Sequence, residues 1–145
     1  MFVKQLLAGK PSGNVLTIKA SETVSRATEI LSEMRIGALI VSNDGHTVDG
    51  ILSERDIIRE IGKRGTPCMN DTVGDVMTTA VIGCHLDDTT EKAMEKMSGG
   101  RFRHMPVIED GKLVGVISIG DIVAARIKEI ESENAAMADM IAGNL

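Results

Sequence analysis

The chain matches itself. At an offset of 66 residues, Val15, Thr23, Ala27, Glu29, Ser32, Arg35, Val41, Asp44 and Gly45 recur as Val81, Thr89, Ala93, Glu95, Ser98, Arg101, Val107, Asp110 and Gly111. The offset falls to 65 once the first copy has gained a residue near His46 and Thr47, and Gly50, Ser53 and Asp56 then recur as Gly115, Ser118 and Asp121. A solenoid needs at least three repeats to cover its faces, whereas a pair predicts two half-domains closing on one another about a pseudo-twofold axis. The chain of 145 residues then divides into an N-terminal segment 1–14, a first repeat 15–64, a linker 65–79, a second repeat 80–128 and a C-terminal extension 129–145.

Each copy reads β-α-β-β-α, an α/β (α+β) unit. The β-branched runs Val15 to Ile18 and Val81 to Cys84 predict opening strands. Thr23 and Thr89 stand where a helix N-cap belongs, ahead of apolar residues at three- and four-residue spacing: Val24, Ala27, Leu31 and Met34, then Ala93, Met94 and Met97. Two strands follow in each copy, Ala38 to Val41 with Val48 to Leu52, and Met105 to Ile108 with Leu113 to Ile117. Asn43, Asp44 and Gly45 join the first pair and Asp110 and Gly111 the second, turn residues that tolerate positive φ. Glu54 to Lys63 predicts a helix with Ile57, Ile58 and Ile61 on one side. Between the copies lies a polar stretch, Arg64 to Thr72, and a short helical turn is expected at Val73 to Met77.

Composition removes several functions. A net charge of −5 supplies no field to draw the protein to nucleic acid or an anionic membrane, and 1% aromatic residues, Phe2 and Phe102, leave no stacking platform for bases. No apolar run is long enough to span a bilayer, and Met1 to Gly13 lacks a secretory pattern, so a cytoplasmic protein is expected. Cys68 and Cys84 form no CxxC pair, and no metal site is expected. The phosphate loop GxxxxGK[ST], HExxH and the GxSxG elbow are all missing, which argues against an enzyme.

The recurrent strand-to-helix signature GxxSxxD, at Gly50, Ser53, Asp56 and at Gly115, Ser118, Asp121, resembles that of a pair of CBS domains, the tandem called a Bateman module. Ile36 to Val41 and Arg103, His104, Met105, Pro106 and Val107 support the likeness, which covers Val15 to Lys128. Small stand-alone bacterial and plant CBS-pair proteins are the nearest in kind, and Ser53, Glu54, Arg55, Asp56 is typical of them.

The resemblance implies adenine-nucleotide binding, with AMP fitting best and ADP, ATP or NAD(H) sharing the adenosine. A carboxylate in the first turn of a helix after a strand accepts both ribose hydroxyls, which assigns ribose to Asp56 and Asp121. Ser53 and Ser118 stand beside the helix N-terminal amides, where an anion is favoured. The family's adenine slot implies backbone contacts from Thr17, Ile18, Ala38 and Leu39 in one copy and Cys84, Met105 and Pro106 in the other. Its cross-axis arrangement implies that Arg103 and His104, with Arg101 nearby, serve a nucleotide held by Asp56, and Arg55 one held by Asp121. Because Ile119 and Gly120 replace Glu54 and Arg55, the two sites are expected to differ.

Plainer readings stand beside these. The two aspartates also fit as carboxylates favoured by a helix dipole, Arg101 and Arg103 as solvent-facing strand residues, and His104 as a structural hydrogen-bond donor. Cys84 and His85, neighbours on a strand, point to opposite faces and make no dyad. Ser118, Asp121 and His104 are residue types of a triad whose repeat partners hold no histidine. A docking module without nucleotide binding is the alternative function, and a regulated protein partner is expected under either reading. Finally, a helix is predicted from Gly120 to Ala142. On it Val123, Ile127, Ile130, Asn134, Met137 and Ile141 form a heptad seam that predicts a homodimer.

Overall fold

The computed structural model describes residues 1–10 and 15–143. In chain order its helices are α1 (Val3–Ala8), α2 (Val24–Met34), α3 (Glu54–Arg64), α4 (Val73–Val76), α5 (Thr90–Gly100) and α6 (Ile119–Ile141). A 3-10 turn covers Thr66–Asn70. The strands are β1 (Thr17–Ile18), β2 (Ala38–Val41), β3 (Gly50–Ser53), β4 (His104–Glu109) and β5 (Lys112–Ser118). β1 runs parallel to β2, which pairs antiparallel with β3; β4 and β5 form the matching hairpin. No helix among the described residues is long and apolar enough to cross a membrane.

The helix starts fall where the threonines predict. Thr23 Oγ1 accepts from Arg26 N at 3.0 Å and Thr89 Oγ1 from Lys92 N at 3.1 Å. α2 buries Val24, Ala27 and Leu31, and α5 buries Ala93 and Met97. Three expected core residues lie outside. Met34 is exposed at the last turn of α2, and on α3 only Ile57 is buried with Asp56, while Ile58 is 66% exposed and Ile61 is also at the surface.

Both helices α2 and α5 end on an arginine in the left-handed region, Arg35 at φ 53° and Arg101 at φ 57°. Ile36 N and Phe102 N reach back to Leu31 O and Met97 O at 3.1 Å, closing a Schellman-type turn in each repeat. Glycine normally takes this place, since an L side chain there costs roughly 1–2 kcal/mol.

The hairpin turns differ. Asp110 and Gly111, at φ 51° and 76°, make the tight turn their residue types predict. In the first repeat β3 starts at Gly50 rather than Val48, because the carboxylate of Asp44 organises a longer loop. It accepts from Thr47 N at 2.7 Å, His46 N at 2.8 Å and the hydroxyl of Ser42 at 3.0 Å. Those donors, led by the Thr47 and His46 amides, hold the carboxyl well below its usual range.

The opening strands are shorter than predicted. The first is only Thr17–Ile18, and the second is a single bridge between Cys84 and Val107. Val15, Leu16, Val81 and Ile82 instead turn out of the sheets to line clefts between the repeats.

The segments ahead of the repeats are exchanged. Residues 1–4 clip onto the second repeat: Val3 N donates to Asp88 O at 2.8 Å, Lys4 N to Leu86 O at 3.0 Å, and Met1 O accepts from Thr90 N at 3.0 Å. Residues 71–74 make the same set with the first repeat, Val73 N to Glu22 O at 2.7 Å, Gly74 N to Ala20 O at 2.9 Å and Asp71 O from Val24 N at 2.9 Å. Val3 is thereby buried with Leu6 in the core built from Cys84, Ala93, Met97, Met105, Val107, Ile117 and Ile122. Val73 completes the core of Ile18, Val24, Ala27, Leu31, Leu39, Val41, Leu52 and Ile57.

The same segments explain the glycine of the repeated signature. A Cβ on Gly50 would stand 2.6 Å from Met77 Sδ and 2.9 Å from Thr78 O, and one on Gly115 would stand 2.7 Å from Leu7 Cδ2. Glycine lets the exchanged segment pack directly against the strand.

Candidate functional site

The serine and aspartate of each signature first build the helix that follows. Ser53 Oγ accepts from Asp56 N at 3.2 Å, and Asp56 Oδ2 accepts from Ser53 N at 2.9 Å, a capping box that starts α3. Ser118 and Asp121 repeat it at α6, with 3.1 and 2.9 Å. Ser53 Oγ also donates to Asp56 Oδ2 at 3.1 Å, which engages its proton within the cap, whereas Ser118 Oγ serves its cap as an acceptor. The helix N-termini are also less open than expected, because Glu54 N already donates to Gly37 O at 2.9 Å and Ile119 N to Arg103 O at 3.0 Å.

Each cap leaves the aspartate beside a cleft between the repeats. The first, about 290 Å³, is bounded by Ser53, Arg55, Asp56 and Arg59 of α3 and by Ala38 and Ile51 of the sheet. Its opposite wall comes from the second repeat, with Ala80, Val81 and Ile82, then Arg101, Phe102, Arg103 and His104. Asp56 is only 7% exposed. Its Oδ1 has weak company, Thr78 Oγ1 and Arg59 Nη1 each at 3.4 Å.

The second cleft, about 680 Å³, is the pseudo-twofold counterpart. Ser118 and Asp121 face Arg35, Ile36, Gly37 and Ala38 of the first repeat, and Val15 and Leu16 take the places of Val81 and Ile82. Both volumes are of the order of a small-molecule site, 300–1,000 Å³. Asp121 differs from Asp56 in its partner: Lys10 Nζ donates to its Oδ2 at 2.8 Å and to Val116 O at 2.8 Å. Burial raises the Asp121 carboxyl, but the bonds from Lys10 and Ser118 outweigh it and hold the group below its usual value.

His104 lines both clefts, as does its repeat partner Ala38. Its ring packs on Gly37, whose added Cβ would meet His104 Cε1 at 2.9 Å. Desolvation lowers its pKa, Glu54 and Asp121 oppose this, and Arg103 and Lys10 add to it.

Of the predicted site residues, the structure gathers Ala38, Ser53, Arg55, Asp56, Arg101, Arg103 and His104 on the first cleft, and Ala38, His104, Ser118 and Asp121 on the second. Arg55 stands beside its own Asp56, not across the axis at Asp121, because it follows the N-cap of the same helix. Thr17, Ile18, Leu39, Cys84, Met105 and Pro106 line neither cleft. Ile18, Leu39, Cys84, Met105 and Pro106 are buried in the sheets, and the cleft contacts expected of Thr17, Ile18 and Cys84 fall to the residues just before them, on the opposite repeat's site.

Sequence reasoning missed Arg35, Arg59 and Lys10. The recurrence of Arg35 as Arg101 was the signal for the first of these, since both sit at the same helix end and face opposite clefts. The thiol of Cys84 is pushed up to about 11, chiefly by desolvation, which leaves it protonated at neutral pH.

The profile of the CBS domain matches residues 3–63 and 73–128. The chain is 34% identical over 125 residues to the mitochondrial CBS domain-containing protein CBSX3 of Arabidopsis thaliana, taking in 83% of this chain and 61% of that protein, so it spans less than two-thirds of that relative's length. The crystal structure of the CBS-domain containing protein ATU1752 from Agrobacterium tumefaciens is 40% identical with a TM-score of 0.83, covering 87% of this chain and 99% of that one. CBSX2, solved in complex with AMP, is 29% identical with a TM-score of 0.72 over 88% of this chain and 96% of its own. The chain belongs to the CBS-domain family, and its fold is two CBS domains followed by a long C-terminal helix.

Proposed function

Because the chain is a CBS-domain pair, we propose that it binds an adenine nucleotide reversibly in the Asp56 cleft, AMP fitting best, and that occupancy modulates a partner protein. One observation carries this reading: a buried carboxylate with a weakly engaged oxygen faces Arg101, Arg103 and His104 across a single cleft. Ribose hydroxyls donate to Asp56, the phosphate accepts from the cations opposite, and Ile51, Val81 and Ile82 offer an apolar wall for the base. The AMP complex of CBSX2 supports the choice of ligand class. ADP, ATP and NAD(H) carry the same adenosine and belong to the comparison.

The protein acts without catalysis in this proposal. This reading gives Ser118 Oγ the role of N-cap of α6 and leaves the buried, protonated Cys84 thiol in the core, and it assigns a nucleophilic role to neither. Ligand shifts an equilibrium only through unequal affinity for its two states, and a cleft walled by both repeats supplies that inequality. The rival, a docking module without nucleotide binding, has in its favour that both Ser-Asp pairs form caps needing no ligand.

Calorimetry with AMP, ADP, ATP and NADH separates the two. Binding of AMP with a raised melting temperature, lost in Asp56→Ala, is expected. Absence of heat for all four nucleotides at millimolar concentration rejects the proposal in favour of docking.

The assembly proposed is a homodimer through α6. Val123, Ile127, Ile130, Met137 and Ile141 are all exposed along it, and Asn134 interrupts the seam as a polar residue that pairs with its own copy. Light scattering of the full chain and of a chain stopped after Lys128 tests this. A monomeric full chain rejects the dimer, and an equally stable dimer of the shortened chain removes α6 from it.

A further inference from the structure

The two clefts also differ on the wall supplied by the exchanged segments. Met1, Val3 and Lys4 make the clip bonds that Asp71, Val73 and Gly74 make on the other side, and Leu7 packs on Gly115 as Met77 packs on Gly50. Continued along the chain, this correspondence sets Lys10 against Ala80, and each lines its own cleft.

The consequence is visible at the strand edge. In the first cleft, Ile51 O accepts from Thr78 N at 2.9 Å, and Ala80 adds only a methyl group. In the second, the matching carbonyl of Val116 accepts from Lys10 Nζ, and the same ammonium sits on Asp121 Oδ2, both at 2.8 Å. One side chain thus replaces a backbone donor and neutralises the aspartate. Among the described residues this cleft is the larger, about 680 against 290 Å³, and the obstacle they pose to a ligand is chemical. Ribose hydroxyls would have to compete with a charge-assisted bond, and a displaced ammonium would leave the Val116 carbonyl without its donor.

We infer that Lys10 and Ala80 determine how many nucleotides the chain takes: Lys10 reserves Asp121 for itself, whereas Ala80 brings no ammonium to Asp56, whose Oδ1 keeps only the two 3.4 Å contacts from Thr78 and Arg59. The inference rests on the proposed nucleotide reading of the clefts, but the experiment keeps the two apart.

AMP is titrated calorimetrically into the full chain, into Lys10→Ala, into Lys10→Ala with Asp121→Ala, and into Ala80→Lys. The expected result is one AMP per wild-type chain, lost in Asp56→Ala, and a second in Lys10→Ala that disappears when Asp121 is also replaced. Affinity at the second cleft rises by at least about tenfold in Lys10→Ala, and Ala80→Lys weakens the first by a similar factor. If Lys10→Ala loses its cooperative melt, Lys10→Met, which keeps most of the aliphatic stem, is read in its place. Two AMP per wild-type chain, or one in both wild type and Lys10→Ala, overturns the inference and leaves the nucleotide reading standing. No binding to wild type with one AMP in Lys10→Ala supports the role of Lys10 while removing the Asp56 site. No binding in any variant overturns both.

Discussion

The two repeats share their helix caps, their signature glycines and the arginines that end α2 and α5, and differ in several of the side chains that line the clefts. Thr23 and Thr89 cap, Gly50 and Gly115 admit a neighbouring segment, and Ser53 with Asp56 and Ser118 with Asp121 start a helix. Facing the clefts, His104 and Arg103 stand against Ala38 and Gly37, and Lys10 against Ala80. A shared skeleton therefore carries two chemically unequal clefts, and sameness of motif is a guide to architecture before it is a guide to binding.

The largest test of that skeleton removes residues 1–8. Val3 and Leu6 then leave the second core, and a loss of about 3–6 kcal/mol is expected from two buried aliphatic side chains. Urea denaturation measures it, and an unchanged midpoint would show that the exchange is dispensable. Glycine substitution sharpens the comparison. Gly50→Ala is expected to cost about 3 kcal/mol and Gly115→Ala about 1, because Thr78 O is unyielding backbone whereas Leu7 can move its side chain. Equal losses would mean that both clips are equally pliant.

The left-handed arginines give a smaller effect of opposite sign. Arg101→Gly and Arg35→Gly should each stabilise the fold by about 0.5–1 kcal/mol through relief of strain, less the added freedom of the unfolded chain. Only Arg101→Gly should weaken AMP binding at the Asp56 cleft, so thermal melts and calorimetry on the same two proteins separate strain from function. A loss of stability in both would show that these side chains hold the structure rather than the ligand.

The smallest effect is a pH slope. Burial depresses the His104 pKa, so the ring is neutral in the free protein above pH 7, and a phosphate beside it would favour the charged form. Binding then takes up protons, and AMP affinity should rise about two- to threefold from pH 8 to 6.5, with His104→Gln flattening the slope. On stability the sign is opposite. The unfolded chain binds that proton more readily, so the His104 contribution to folding falls as pH drops through 6.5.

The caps, the hairpins and the repeated signature were legible because each is a local demand that a few residue types satisfy. Thr23, Asp110 with Gly111, and Ser53 with Asp56 act within three or four positions of themselves. The exchange was not legible, since residues 1–10 and 71–80 correspond at a different offset from the repeats and share little beyond Val3 and Val73. Missing it hid Lys10, whose partner Asp121 lies far along the chain. Ile18 and Cys84 were assigned base contacts from the family likeness, and they lie in the cores while Leu16 and Ile82 line the clefts. Ile58 and Met34 were misjudged for a simpler reason: apolar spacing marks a helix face without saying where the packed neighbour ends.

The crossed clips also set an order on biosynthesis. Val3 leaves the ribosome with its apolar face unpartnered and can dock only when Asp88 and Ala93 have emerged, on the order of ten seconds later at ordinary elongation rates. The first repeat likewise waits for Val73 before its core closes. A nascent chain halted before residue 73 carries two incomplete cores, and the second stays open until Ile117 and Ile122 have emerged, so the N-terminal segment waits for nearly the whole of the second repeat.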